Sequence, residues 1–199
     1  MKKKTLNLVV YSLLIALMIL MTFTAVGYIK IGIVEITLMC LPVIFGIAYS
    51  GTASGLILGL VFGLTSLLTC ILGTSTFGTA LFSLSAPKTV FLCVVPRVLA
   101  GLVCALCFTA LYKSGKKNTA FTVASVLMPA LNTLLFVSSF ILLFKNTEFF
   151  VNMMNSVGSK TLPAFVITVF GLNSISEIGV CLIVGLPVCK AIDMIKSKK

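Results

Sequence analysis

Histidine and tryptophan are absent from this chain, arginine occurs once, and aspartate and glutamate together number four. Without histidine, and with no paired aspartates or His-Glu clusters, a metal-dependent membrane enzyme is excluded, and no metal site is expected. No Gly-x-x-x-x-Gly-Lys-Ser/Thr loop occurs, so the chain does not hold ATP by a P-loop. The lack of tryptophan disfavours a large flat ring stacked on indole. A single arginine among scattered lysines is not a nucleic-acid surface, which would set aromatics or glycines between clustered arginines. No internal repeat is present, so the usual inverted-repeat transporter finds no support. The chain therefore reads as a non-enzyme without a cofactor.

What the sequence has in abundance is apolar residues, 59% of 199, with only 10% charged. A soluble domain carries about 25% charged residues, so lipid is the solvent for most of this surface. A helical span takes about 20 apolar residues, and six spans consume nearly the whole chain. The reading is an all-α membrane protein, a bundle of six transmembrane helices forming one integral membrane domain over residues 1–199. The helices are expected at about 5–28, 36–50, 53–72, 89–112, 119–144 and 162–193. The apolar run from Leu6 to Val26 follows three lysines as in a signal peptide. It is too long for that, and five more spans follow.

Charge distribution orients the bundle. Lys2, Lys3, Lys4, Lys113, Lys116, Lys117, Lys190, Lys196, Lys198 and Lys199 fall on one side if the chain crosses an even number of times. Lys30, Lys88, Lys145 and Lys160 fall on the other. The positive-inside rule puts the first group, and both termini, in the cytoplasm. Long polar segments at 73–88 and 145–161 then face outward and suit a lid or binding element. The short connections face inward.

Cys104 and Cys107 form a C-x-x-C within an apolar helix. Redox and zinc pairs need polar, accessible surroundings, so these read as small residues in lipid. Gly55, Gly59 and Gly63 share one face of the third span and suit close helix packing. Ser12 and Ala16 form a similar small-residue face on the first span, suited to internal packing or to docking another membrane subunit.

Buried polar residues in lipid are costly unless paired and so mark function. Arg97 lies roughly 12 Å from the outer end of the fourth span, Asn132 roughly 18 Å along the fifth, and Asn173 roughly 16 Å along the sixth. Three hydrogen-bonding side chains at similar depth make a pocket if their helices are neighbours. Arg97 stays charged, with a pKa above about 12. Its partner is a substrate carboxylate or phosphate, or Glu177 at roughly 22 Å, or the arginine snorkels to the surface. Glu177, on the same face as Asn173, also permits an autonomous proton-coupled carrier or channel. A structural or assembly protein without substrate is a third reading.

The run Ile33-Val34-Glu35-Ile36-Thr37-Leu38-Met39-Cys40-Leu41-Pro42-Val43-Ile44, then Gly46, Ser50-Gly51, Gly55 and Leu60-Val61-Phe62-Gly63-Leu64-Thr65-Ser66, resembles the S components of energy-coupling factor (ECF) transporters. Val95-Pro96-Arg97-Val98-Leu99-Ala100-Gly101-Leu102 is similar to the same group, which includes riboflavin, folate and pantothenate binders. The resemblance implies a six-helix bundle in the bacterial plasma membrane that captures a vitamin from outside. It implies partners as well: a transmembrane coupling protein and two ATPase subunits. Small residues on the first helix contact the coupling protein in that family. Ser12 and Ala16 match those positions, with Ser12 in place of the usual alanine. Related sequences often carry His where Cys40 stands. Among known specificities pantothenate fits best, offering a carboxylate to Arg97 and amide and hydroxyl groups to Asn132 and Asn173.

Overall fold

The computed structural model describes residues 3–24, 27–31, 34–158 and 161–197. It is a helical membrane bundle. Helix α1 covers Lys3–Thr22, α2 Cys40–Ser50, α3 Thr52–Ile71, α5 Ala86–Lys113 and α6 Lys117–Phe144. Helices α4 (Thr76–Leu84) and α7 (Glu148–Ser156) are short. The last span, from Leu162 to Ser197, is α8 (Leu162–Val166), α9 (Leu172–Val180) and α10 (Leu186–Ser197), joined by π-helical turns at Ile167–Gly171 and Cys181–Gly185. Among the described residues five helical stretches are long and apolar enough to cross a membrane, and α2 is a shorter apolar helix.

The first connection departs from the expected pattern. Helix α1 ends at Thr22 rather than near 28, and strands β1 (Tyr28–Ile31) and β2 (Val34–Thr37) pair antiparallel, Tyr28 opposite Thr37 and Ile31 opposite Val34. Ile29, Ile31, Val34, Ile36 and Thr37 are β-branched, which suits a pleated strand better than a helix. Helix α2 therefore begins at Cys40, not 36, and Pro42 falls in its first turn. The amides there have no intrahelical partner, so the proline costs the helix nothing.

The two outer segments are not plain loops. Ser75 caps α4, its hydroxyl accepting from the Gly78 amide at 3.2 Å. Thr147 caps α7 in the same way, accepting from the Phe150 amide at 3.3 Å. Each cap satisfies one of the free amides at a helix start. The fourth span begins at Ala86 and takes in residues assigned from sequence to the segment before it. Lys160 lies outside the described residues.

The cytoplasmic end is tied across helices. The Tyr49 hydroxyl donates to Asn7 Oδ1 at 3.2 Å, Lys196 Nζ donates to the Tyr49 carbonyl at 2.8 Å, and Lys117 pairs with Asp193 at 3.5 Å. These contacts put α1, the α2–α3 turn, the α5–α6 turn and α10 at one face, the lysine-rich one, which the positive-inside rule makes cytoplasmic. Gly51 makes the α2–α3 turn with φ +71°, a conformation open to glycine.

Helices α3 and α5 touch backbone to backbone. A methyl group added at Gly55 would collide with the Gly101 carbonyl, one at Gly59 would come within 2.9 Å of the Arg97 carbonyl, and one at Gly63 within 2.8 Å of Val94 Cα. The three glycines are thus a helix-packing face, the use small residues have where lipid provides no hydrophobic drive. Two apolar cores result. The inner one centres on Met18, Met39, Ile44, Ile47, Phe62 and Phe121, the outer on Leu81, Leu92, Phe140, Phe144, Phe150 and Phe165. Apolar side chains such as Leu142, Ile183, Leu8 and Leu13 face outward, toward lipid. Ser12 and Ala16 also face outward, so internal packing does not account for them.

Candidate functional site

A cavity of about 90 Å³ lies between the two cores, bounded by Phe62 of the inner core and by Leu81, Leu92 and Phe170 of the outer. Helix α3 contributes Ser66, Thr69 and Cys70 to its wall, α4 contributes Phe77, and α5 contributes Cys93 and Arg97. Asn132 and Phe136 come from α6, Asn173 and Glu177 from α9, and Thr37 from the end of β2. Arg97, Asn132 and Asn173, the three residues expected to converge, therefore line one cavity together with Glu177.

Arg97 is 8% exposed. Its position follows from the residue before it. Pro96 has no amide hydrogen, so the Leu92 carbonyl four residues back loses its helical donor. Arg97 Nη1 donates to that same carbonyl at 2.6 Å. Side chains on a helix lean toward its N-terminus, here the outer end, which carries the guanidinium up into the cavity. It lies over Phe136, 4.6 Å from the ring centroid, and over Phe62 at 5.6 Å, both within cation–π range. Its Nε has no protein partner. Arg97 forms no ion pair with Glu177; among the described residues the ion pair is Lys117–Asp193.

Glu177 is 1% exposed and holds the hairpin to the bundle. Its Oε1 accepts the Thr37 amide at 2.9 Å and lies 3.5 Å from Asn173 Nδ2, one helical turn away. Glu177 Oε2 and Asn132 Oδ1 are buried without a hydrogen-bond donor. Non-helical backbone at membrane depth is tolerated where it is buried in protein or lines a cavity, and Thr37 does line this one. Among the described residues no three of Cys, Asp and Glu gather as metal ligands.

The sequence model of the ECF transporter substrate-specific component family matches residues 6–189. The chain belongs to that family. A comparison with curated proteins returns no match. The family is one of transporter components rather than enzymes, and this substrate-specific component is a multi-pass membrane protein.

Several wall residues of this S component escape a reading based on charge and amide side chains alone. Ser66, Thr69 and Cys70 follow the glycine face of α3 at helical spacing, and their polarity in an apolar helix was the available signal. Where the glycines bring α3 against α5, no space remains; one to two turns farther out, side chains replace hydrogens and the helices leave a hollow. Thr37 had no such signal, because its role comes from the hairpin. Cys70 and Cys93 meet in the wall with sulfurs 3.7 Å apart. Cys104 is buried in the inner core, and all seven cysteines are free.

Proposed function

We propose that this S component is the substrate-capture subunit of an ATP-driven vitamin importer in a bacterial plasma membrane. It takes a small carboxylate-bearing vitamin, with pantothenate the best candidate, from the outside. Arg97 holds the carboxylate, and Asn132, Asn173 and Glu177 make the polar contacts. The observation that carries the reading is a buried guanidinium, in a cavity between two apolar cores, with no carboxylate paired to it. A buried charge needs a partner or pays heavily for its desolvation. An anionic substrate group supplies one.

The whole chain acts as one integral membrane domain. With no P-loop of its own, it works with a transmembrane coupling protein and two ATPase subunits, and Ser12 and Ala16 dock the coupling protein. Support for that docking face is its outward exposure on α1, where small residues let another helix approach closely.

Reconstitution tests the reading. Liposomes holding the chain with a coupling protein and ATPases should accumulate radiolabelled pantothenate only when ATP is supplied. Uptake by the chain alone, driven by a proton gradient and lost in Glu177→Gln, would instead establish a proton-coupled carrier. Full uptake with Arg97→Ala and Asn132→Ala combined would remove the cavity from the mechanism.

A further inference from the structure

The cavity offers two kinds of wall, and they ask for different things. Arg97 has five N–H donors and accepts nothing; one donor goes to the Leu92 carbonyl, and Nε has no protein acceptor. Glu177 and Asn132 present the opposite need. Glu177 Oε1 is engaged by the Thr37 amide, while Glu177 Oε2 and Asn132 Oδ1 are buried oxygens with no hydrogen-bond partner in the protein. Arg97 and Glu177 share the cavity without forming an ion pair. Aromatic faces, Phe62, Phe136 and Phe170, fill the wall around them.

From this we infer that the ligand is amphoteric in hydrogen bonding: an acid whose carboxylate meets Arg97 and whose hydroxyl or N–H donors meet Glu177 Oε2 and Asn132 Oδ1. Glu177 is then the specificity-determining residue for the donor end. The inference rests on the reading that this cavity binds the transported substrate. A plain acid with a hydrocarbon tail would satisfy Arg97 and seal two acceptors away from water with no donor, and a buried acceptor left unpaired is disfavoured. A cation would meet Glu177 favourably but place its charge in the same cavity as the guanidinium. A ligand carrying both groups, with an apolar stretch between them, leaves neither wall unsatisfied. Sites built to hydrogen-bond a substrate hydroxyl or N–H reject the analogue lacking it far more strongly than apolar pockets reject a missing methylene.

The Glu177→Gln variant gives a specific expectation. Its carbonyl oxygen keeps the Thr37 amide, which puts the NH₂ group where Oε2 stands. The acceptor becomes a donor, and a ligand hydroxyl or N–H then meets another N–H. The test is isothermal titration of the detergent-purified full chain with a panel of carboxylate vitamins, pantothenate first, alongside N-propanoyl-β-alanine and octanoate. N-Propanoyl-β-alanine keeps the carboxylate and amide of pantothenate and lacks both hydroxyls; octanoate lacks all donors. The vitamin that binds should lose roughly 10- to 100-fold in affinity in Glu177→Gln. Against the unmodified protein, octanoate should bind at least about 10-fold more weakly than that vitamin. This second comparison needs no variant to fold. If pantothenate is the vitamin, N-propanoyl-β-alanine should also fall by about 10-fold or more. A vitamin that binds tightly, with octanoate equal to it, overturns the inference and leaves the substrate-capture reading standing, as does an affinity unchanged in well-folded Glu177→Gln. No binding by any panel member overturns both.

Discussion

Gly55→Ala is a stringent test of how the bundle is assembled, because one methyl group meets backbone on the far side. At that position a Cβ would overlap the Gly101 carbonyl and lie 2.5 Å from Ala105 Cβ, where 3.4–4 Å is ordinary contact. Neither neighbour can rotate away, one being main chain and the other a methyl fixed to it. Relief therefore requires α3 and α5 to part by roughly 1 Å, and a gap of that size forfeits about a quarter to a half of each dispersion contact across the interface. Overpacking of this kind costs about 1–3 kcal/mol. For a chain of this length that is a fall in Tm of roughly 2–12 °C. Gly179→Ala is the matched control: it lies within α9 with nothing within 4 Å of an added Cβ. Removing a helical glycine there should stabilise by up to about 1 kcal/mol. The assay is thermal unfolding of both variants in one detergent, followed by size-exclusion monodispersity. Equal Tm values for the two would refute the α3–α5 packing argument.

Three further outcomes follow from the same geometry. Pro96→Ala restores an amide to the Leu92 carbonyl and so competes with Arg97 Nη1 for it; Tm should rise by a few degrees while substrate affinity falls by several-fold, read by titration in parallel with thermal unfolding. Copper–phenanthroline in air should oxidise Cys70 and Cys93 to an intramolecular disulfide, seen as loss of two titratable thiols, and Cys93→Ser should abolish it, since their sulfurs are 3.7 Å apart. Lys117→Ala should leave Tm close to that of the unaltered protein in thermal unfolding, because the Lys117 side chain is 51% exposed and its pair with Asp193 is screened by solvent.

Much of the bundle is legible in the sequence because lipid imposes a strong rule: every span must be apolar and satisfy its own backbone. The helix-packing role of Gly55, Gly59 and Gly63 is legible for the same reason, since their spacing alone puts them on one face. Arg97, Asn132, Asn173 and Glu177 stand out because polar groups in lipid are rare. Depth arithmetic along separate helices puts Arg97, Asn132 and Asn173 at similar levels, but that they share a cavity depends on which helices are neighbours, and spacing along the chain does not give that. The hairpin was not legible as such. Tyr28–Thr37 carries β-branched residues next to a strongly apolar helix, and hydropathy reads the boundary as continuous. Helices α4 and α7 were hidden for a different reason, being too short to span, with the caps Ser75 and Thr147 and the first-turn Glu148 as start signals. The missing ion pair between Arg97 and Glu177 depends on where Pro96 and Thr37 direct those side chains, and spacing along the chain carries no such information.

The most direct test of the account is equilibrium ligand binding to the purified chain and to Arg97→Ala, measured as a thermal shift across a panel of B vitamins. A ligand at a hundredfold excess over its Kd stabilises the folded state by about 2.7 kcal/mol, a rise of roughly 5–10 °C for a chain of this length. The account predicts one carboxylate vitamin giving such a shift with the unaltered protein, and little or none with an Arg97→Ala variant that still folds. A shift of equal size in that variant, or none with any vitamin, would contradict it.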